Sequence, residues 1–262
     1  MILGDCYIAY VNLAHRTDRR ERMEKELARV GIQAERFEAI RTRDHQWDHR
    51  KWDVMLRRTP GACGCYVSQM GVMQKALSLN KHAFVMEDDL EFCSDWNGRV
   101  LYLEKYFADK SWDIIWLGAT VHIGPPHWYT GGNPLLMGIN LGRDAEQTDD
   151  PRILRTLACF CTYAYIVNKD KIEQILGTLE SQIPTSIGID YSMIRMQPML
   201  KTYCLLPGAV KQIDNLSDIG TGITRFSGFS RLNGSIENSR YWWQDKMSDF
   251  DPLTFNFAEC TR

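Results

Sequence analysis

HAFVMEDDLEF, residues 82–92, is the stretch that decides the fold class. Its first five residues, His82 to Met86, are mostly apolar and predict a buried β-strand. The acids Glu87, Asp88 and Asp89 follow at once, so we expect them at the carboxyl end of that strand. Open α/β sheets place their ligands at this edge. The stretch therefore predicts an α/β fold with a site built on three carboxylates.

Apolar β-prone runs alternate with helical patterns along the rest of the chain. Further strands are predicted at 6–12, 34–40, 112–117, 159–167 and 202–206, and helices at 18–30, 59–80, 96–107, 169–179 and 190–196. This alternation indicates a mainly parallel sheet that is covered by helices on both faces. The Gly- and Pro-rich stretch 118–151 is expected to be a long loop, in which Trp128 and Tyr129 either stack on a sugar or are incidental surface aromatics.

Composition narrows the class of protein. The 262 residues are 44% hydrophobic and 24% charged, which suits one folded unit and excludes general disorder. A formal net charge of -2 disfavours nucleic acid as a partner, because phosphate neutralisation supplies most of that affinity. No run of eighteen apolar residues is present, so no transmembrane segment is expected. Half of the eight cysteines lie in apolar strand-like runs, which favours reduced thiols and a cytoplasmic setting.

Three adjacent carboxylates repel one another unless a cation shares their space. Hard oxygen ligands suit Mg²⁺ or Mn²⁺, and such an ion bridges the phosphates of a bound nucleotide. The acidic run therefore predicts a divalent cation and an anionic nucleotide ligand. An exposed acidic turn without function is the alternative.

Three motifs in order give the chain a resemblance to a known family. They are YVNLAHRTDRRERMEKELARVGIQAERFEAI at 10–40, TPGACGCYVSQMGVMQKAL at 59–77 and AFVMEDDLEF at 83–92. AYIVNKDKIEQIL at 164–176, IGIDYSMI at 187–194 and VKQIDNLSDI at 210–219 are weaker matches. Together they resemble glycosyltransferase family 25, which includes bacterial lipopolysaccharide glycosyltransferases and collagen galactosyltransferases.

The resemblance implies a GT-A fold and a metal-dependent, inverting transfer of a sugar, galactose or glucose, from a UDP-sugar to a glycan or protein hydroxyl. It implies that Asp89 ligates Mn²⁺ or Mg²⁺, and that Glu87 or Asp88 meets the ribose or the metal's water, with Glu87 also a candidate ligand. Residues 1–120 would form the nucleotide-sugar part of a single domain 1–262, and residues 121–262 the acceptor side.

The loop after the first strand follows the family's Asn-Leu-x-x-Arg-x-Asp-Arg-Arg pattern. Its candidate donor-binding residues are Asn12, Leu13, Arg16 and Arg19. Either arginine could give paired hydrogen bonds to phosphate. The alternative is a helix-capping ion pair with Asp18 or Glu21.

The second motif departs from the family, which often has Ser-His where this chain has Ser68-Gln69. Glutamine forms hydrogen bonds but does not titrate, so a proton-transfer role at this place is in doubt. Ser68 and Gln69 are expected to position the donor sugar or the backbone, and buried structural hydrogen bonding is an equal alternative.

An inverting transfer requires a general base beside the acceptor hydroxyl. Asp190, in a Val-Asp-like family motif, is the leading candidate, and Asp218 is the second. For either acid, a helix N-cap is the structural alternative.

Two other classes of function remain open from the sequence. A nucleotidyl or phosphoryl transferase would use the same acids and arginines, although the chain lacks a Gly-rich phosphate loop. A catalytically silent sugar-nucleotide binding module is permitted by Gln69, whereas the intact acidic run speaks against it.

Overall fold

A computed structural model describes residues 2–121, 145–213, 215–216, 218–219 and 223–224. The predicted aromatic pair Trp128 and Tyr129 lies outside the described residues. In the described part, no helix is both long enough and apolar enough to cross a membrane.

Helices form at the five predicted positions, and a further one begins at His49. The α-helices are α1 (Thr17–Val30), α2 (His49–Arg58), α3 (Pro60–Ser78), α4 (Trp96–Tyr106), α5 (Lys169–Gln182) and α6 (Ile189–Met196). Helix α1 buries Met23 and Leu27 and ends at Gly31, whose φ of 73° is a left-handed conformation that glycine adopts without strain. Helix α3 begins with Pro60, which has no N–H to leave unpaired.

Most of the strands belong to one large sheet. The strands are β1 (Cys6–Asn12), β2 (Glu35–Glu38), β3 (His82–Glu87), β4 (Leu90–Phe92), β5 (Ile114–Val121), β6 (Ala145–Gln147), β7 (Ile153–Thr156), β8 (Cys159–Val167), β9 (Thr202–Leu205), β10 (Val210–Gln212), β11 (Asn215–Leu216) and β12 (Ile223–Thr224). The order in the eight-stranded sheet is β2-β1-β3-β8-β5-β9-β7-β6.

Strand direction confirms the predicted fold class. Strands β7 and β8 pair antiparallel with their neighbours, and the other six strands of the sheet run in one direction. The sheet is therefore mainly parallel with two reversed strands. This arrangement brings the carboxyl ends of β1 and β3 beside the amino end of β8 at one edge, because Val11 pairs with Glu87 and Met86 pairs with Ala164.

Helices cover both faces of the sheet, as predicted. Along β3, Ala83 and Val85 pack with α2, α3, α5 and α6 on one face. Phe84 and Met86 pack with α1 and α4 on the other. This alternation follows from the two-residue period of a strand, and the two-sided burial explains its continuous apolar sequence.

A second small sheet lies against the acidic end of β3. Strand β4, which the sequence pattern did not predict, pairs antiparallel with β10, so that Gln212 lies opposite Leu90. Strand β10 passes close to β5, since a Cβ on Gly118 would lie 2.2 Å from the carbonyl oxygen of Val210. Only glycine permits this approach, which fixes β10 beside the acids.

Candidate active site

The three acids close strand β3 inside the protein rather than on an exposed turn. Asp88 is 6% exposed and Asp89 is 4% exposed, while Glu87 is partly buried. The alternative of an exposed acidic turn is therefore wrong. Buried carboxylates require partners, because removing an unpaired charge from water is costly.

Asp88 is held by residues from the strand and helix that precede it in the chain. The amide of Asn12, at the end of β1, donates to Asp88 Oδ2 at 2.7 Å. Arg19, in the first turn of α1, donates to Asp88 Oδ1 at 2.7 Å and lies 3.2 Å from Asp89 Oδ2. Burial raises the pKa of Asp88, and the Arg19 charge and the Asn12 amide oppose this rise. Arg19 thus partly neutralises the acids, and its side chain points toward them.

Glu87 and Asp89 approach one common atom, the amide nitrogen of Gln212. Gln212 Nε2 lies 3.2 Å from Glu87 Oε2 and 3.1 Å from both carboxylate oxygens of Asp89. Burial, together with the charges of Asp89 and Asp190, holds the pKa of Glu87 well above its usual range. Two carboxylates this close repel each other, so the pair would gain from a shared cation.

This pair fits a hard divalent cation in its chemistry. The described residues contain no group of three or more His, Cys, Asp or Glu side chains that could hold a metal ion. Mg²⁺ commonly takes only one or two protein carboxylates and completes its shell with water and substrate phosphates. Glu87 and Asp89, which converge on Gln212, are the residues that would hold it.

Asp190 lies across the same edge, in the first turn of α6. Thr162 donates to Asp190 Oδ1 twice, from its hydroxyl at 2.7 Å and from its backbone N–H at 3.0 Å. The N-cap of α6 is Gly188, so the N-cap alternative for Asp190 is wrong. Burial raises the pKa of Asp190, and the hydrogen bonds from Thr162 oppose this rise.

Ser68 and Gln69 are adjacent in α3 and serve different neighbours. Ser68 donates to the carbonyl of Gly64 and accepts from the N–H of Ile40, which ties the chain after β2 to α3. Gln69 Nε2 lies 3.3 Å from Glu87 Oε1 and belongs to the acidic site. Both of these partners of Ser68 are backbone groups that lie away from the acids.

Arg16 and Asp218 meet beside the acids instead of among them. Arg16 forms ion pairs with Asp18, at 2.9 Å, and with Asp218. The Asp18 pair is the alternative that the sequence left open for this arginine. The N–H of Arg16 closes a turn by donating to the carbonyl of Leu13, and His15 lies 3.5 Å from Asp218. Asp218 therefore lies beside the first loop, whereas Asp190 is linked to Glu87.

Three members of the site escaped the sequence analysis, namely Thr162, Tyr165 and Gln212. Gln212 stands in the 210–219 stretch that resembles the family, so this match was a usable signal for it. Thr162 and Tyr165 lie on the reversed strand β8, and no sequence pattern assigned a direction to that strand.

The fold and the site together define a class of protein. A helix-covered, mainly parallel sheet with buried acids at the end of a central strand is consistent with a GT-A-like fold. Residues 7–124 match the model of the family described as Glycosyltransferase family 25 (LPS biosynthesis protein). This match confirms the predicted resemblance.

Two curated relatives are similar to parts of this chain, and both are described as a member of glycosyltransferase family 25. A "Glycosyltransferase 25 family member" of Anopheles gambiae is 27% identical over 130 residues, which cover 43% of this chain and 21% of the relative. A protein of the same description from Aedes aegypti is 24% identical over 151 residues, which cover 52% of this chain and 25% of the relative. The chain thus aligns with about a quarter or less of the length of each relative.

Proposed function

We propose that this chain is a metal-dependent, inverting glycosyltransferase that moves galactose or glucose from a UDP-sugar to a hydroxyl of a glycan or protein. The observation that carries the proposal is the convergence of Glu87 and Asp89 on one atom, with Arg19 and Asp190 at the same edge of the sheet. The family match supports the transferase class. The buried free thiols of Cys6, Cys63 and Cys204 favour a cytoplasmic setting.

The donor would bind at the carboxyl ends of β1 and β3. Glu87 and Asp89 would hold Mn²⁺ or Mg²⁺, which neutralises the charge of a departing diphosphate. Asn12 and Arg19 keep Asp88 in place for contact with the donor. Arg16, which flanks this edge, would bind phosphate by exchanging its carboxylate partners for the donor.

Asp190 would act as the general base in the transfer. Its carboxylate accepts the proton of the acceptor hydroxyl, and that oxygen forms a bond to the anomeric carbon of the donor sugar. The bond between this carbon and the diphosphate oxygen breaks on the opposite face, and the nucleoside diphosphate leaves. The configuration at the anomeric carbon is therefore inverted.

A binding screen and a product analysis test the proposal. UDP-sugars should raise the unfolding temperature only with Mn²⁺ or Mg²⁺ present. At a hundredfold excess of ligand over its dissociation constant, the free energy of unfolding should rise by about 2.7 kcal/mol. Turnover should release a nucleoside diphosphate. Release of sugar 1-phosphate would instead establish transfer of the nucleotidyl group, and release of nucleoside monophosphate would establish transfer of the sugar phosphate. Binding without turnover on any acceptor would indicate a silent binding module.

The matched variant for this screen is Asp89→Asn. It keeps the size of the side chain, and its amide oxygen is a weaker, uncharged ligand for a hard cation. Stabilisation by UDP-sugar and Mn²⁺ should disappear while the unfolding temperature without ligand changes little. Metal-dependent stabilisation that survives in this variant would remove the metal assignment.

A further inference from the structure

A buried phenol fixes the orientation of Gln69. The hydroxyl of Tyr165, on β8, donates to Gln69 Oε1 at 2.8 Å, and both side chains are completely buried. Burial, and then the neighbouring Cys65 and Glu87, raise the pKa of Tyr165 well above its usual range. The phenol therefore stays protonated and donates a hydrogen bond to Gln69. This bond identifies Oε1 as the acceptor end of the amide, so that Nε2 faces the acids.

The Nε2 group of Gln69 has three acceptors within reach, of which Cys65 Sγ, at 3.5 Å, is the most distant. One neighbour, at 3.3 Å, is Glu87 Oε1 on the metal side of the site. Another, also at 3.3 Å, is the hydroxyl oxygen of Thr162. Thr162 has a single hydroxyl proton, which it donates to Asp190 Oδ1 at 2.7 Å, so toward Gln69 it is an acceptor. Each donor and acceptor from Tyr165 to Asp190 is thereby determined.

An irregularity in the sheet makes the backbone of Thr162 available to Asp190. The pairing of β5 with β8 shifts between Gly118 opposite Ala164 and Thr120 opposite Phe160. Thr162 lies in this interval, and its N–H donates to Asp190 Oδ1 at 3.0 Å instead of continuing the strand pairing. Both bonds from Thr162 reach Oδ1, so we assign Oδ2 to the proton of the acceptor.

We propose that Tyr165, Gln69 and Thr162 form a positioning relay, which fixes the carboxylate of Asp190 for proton removal and links it to Glu87 on the donor side. The proposal rests on the proposed function, and all three are positioning residues rather than catalytic ones. The relay requires a residue that accepts one hydrogen bond and donates two. Glutamine meets this requirement, whereas a neutral histidine has one donor and one acceptor. The departure from the family's Ser-His pattern is therefore part of the relay, and Gln69→His interrupts it.

Two variants of Thr162 test the relay. Thr162→Val removes the hydroxyl and keeps the β-branched shape, whereas Thr162→Ser keeps the hydroxyl. In the metal-loaded full chain, Thr162→Val should lower kcat about ten- to a hundredfold, the range expected when a hydrogen bond to a charged group is lost. The donor dissociation constant, measured by titration calorimetry with Mn²⁺, should stay within about twofold. Thr162→Ser should restore kcat to within a few-fold of wild type.

A variant at the far end of the relay separates positioning from packing. Tyr165→Phe keeps the ring that packs on Trp116 and removes only the donor to Gln69. It should lower kcat in the same direction as Thr162→Val, with donor affinity preserved. Wild-type kcat in both Thr162→Val and Tyr165→Phe, even with lower unfolding temperatures, would overturn the relay and leave the proposed function standing. If wild type shows neither binding nor turnover of any nucleotide sugar, the proposed function fails, and the relay fails with it.

Discussion

Replacing the proposed base by its amide, Asp190→Asn, separates chemistry from binding. The two hydrogen bonds from Thr162 both reach Asp190 Oδ1, and an asparagine in the same rotamer retains this acceptor. Its Nδ2 then takes the place of Oδ2 and has no lone pair for a proton. The fold and the donor site should therefore remain, while proton removal fails.

The expected loss follows from the role of the residue. Removing a positioned general base costs about 100- to 10,000-fold in rate, which corresponds to about 2.7 to 5.4 kcal/mol of transition-state stabilisation. We would measure kcat by release of nucleoside diphosphate at saturating donor, and donor affinity by calorimetry with Mn²⁺. The donor dissociation constant should stay within about threefold of wild type.

Asp170→Asn is a matched control for this variant. Asp170 and Asp190 both stand second in their helices, α5 and α6, so each substitution removes the same charge from a helix amino terminus. Asp170 is exposed and follows the end of β8 that lies away from the acids. A value of kcat for Asp190→Asn within about threefold of the Asp170→Asn control would refute the assignment. A large loss in Asp218→Asn instead would transfer the role to Asp218.

Other expected outcomes follow from the same contacts. Arg19→Ala should destabilise the protein and weaken donor binding more than Arg16→Ala, because the partners of Arg19 are the buried Asp88 and Asp89, whereas those of Arg16 are more exposed. Equal unfolding temperatures and donor affinities in the two variants would contradict this. In urea unfolding, Gly118→Ala should lower the free energy of unfolding by about 1 to 3 kcal/mol through its clash with Val210. Gly98→Ala, in open space on a helix, should raise it by about 0.5 to 1 kcal/mol; an unchanged free energy for Gly118→Ala would show that β10 is free to move.

The raised pKa of Asp190 has a consequence for the stability of the metal-free protein. The folded state binds this proton more tightly than the unfolded chain, so the contribution of Asp190 to the free energy of unfolding falls as pH rises above the usual range of aspartate. Asp190→Asn removes this dependence. In EDTA, urea unfolding should therefore show the variant gaining stability relative to wild type as the pH rises above the ordinary pKa of aspartate; a difference that is constant with pH would contradict the burial effect.

The sequence was sufficient for the class of fold and for the acidic half of the site. Continuous apolar runs mark strands buried on both faces, and the carboxyl ends of β1 and β3 meet because both strands are parallel. Asn12, Arg19 and the acids follow those two strands and were predicted to form one site. Apolar runs and the polar residues that follow them are local features of the sequence, so they predict these elements without knowledge of the rest of the fold.

The acceptor side could not be predicted in the same way. Strand β8 runs antiparallel to β3, and a run of β-prone residues has the same pattern in either direction. Thr162 and Tyr165 therefore had no predictable neighbours. Gln212 reaches the acids through the pairing of two three-residue strands, and strands of that length are too short to show a period.

The position of β8 also determines when the sheet can be completed. Strands β3 and β5 are separated by β8, which pairs with both, so neither acquires this neighbour until residues 159–167 have been synthesised. A fragment limited to the family-matched residues 7–124 would leave β3 without β8 and β5 without both β8 and β9, and such unpaired strand edges promote aggregation. The pairing of Met86 with Ala164 is a long-range contact, which favours slow folding. The most recognisable half of this chain is therefore not a separable folding unit, and expression boundaries should extend beyond β9.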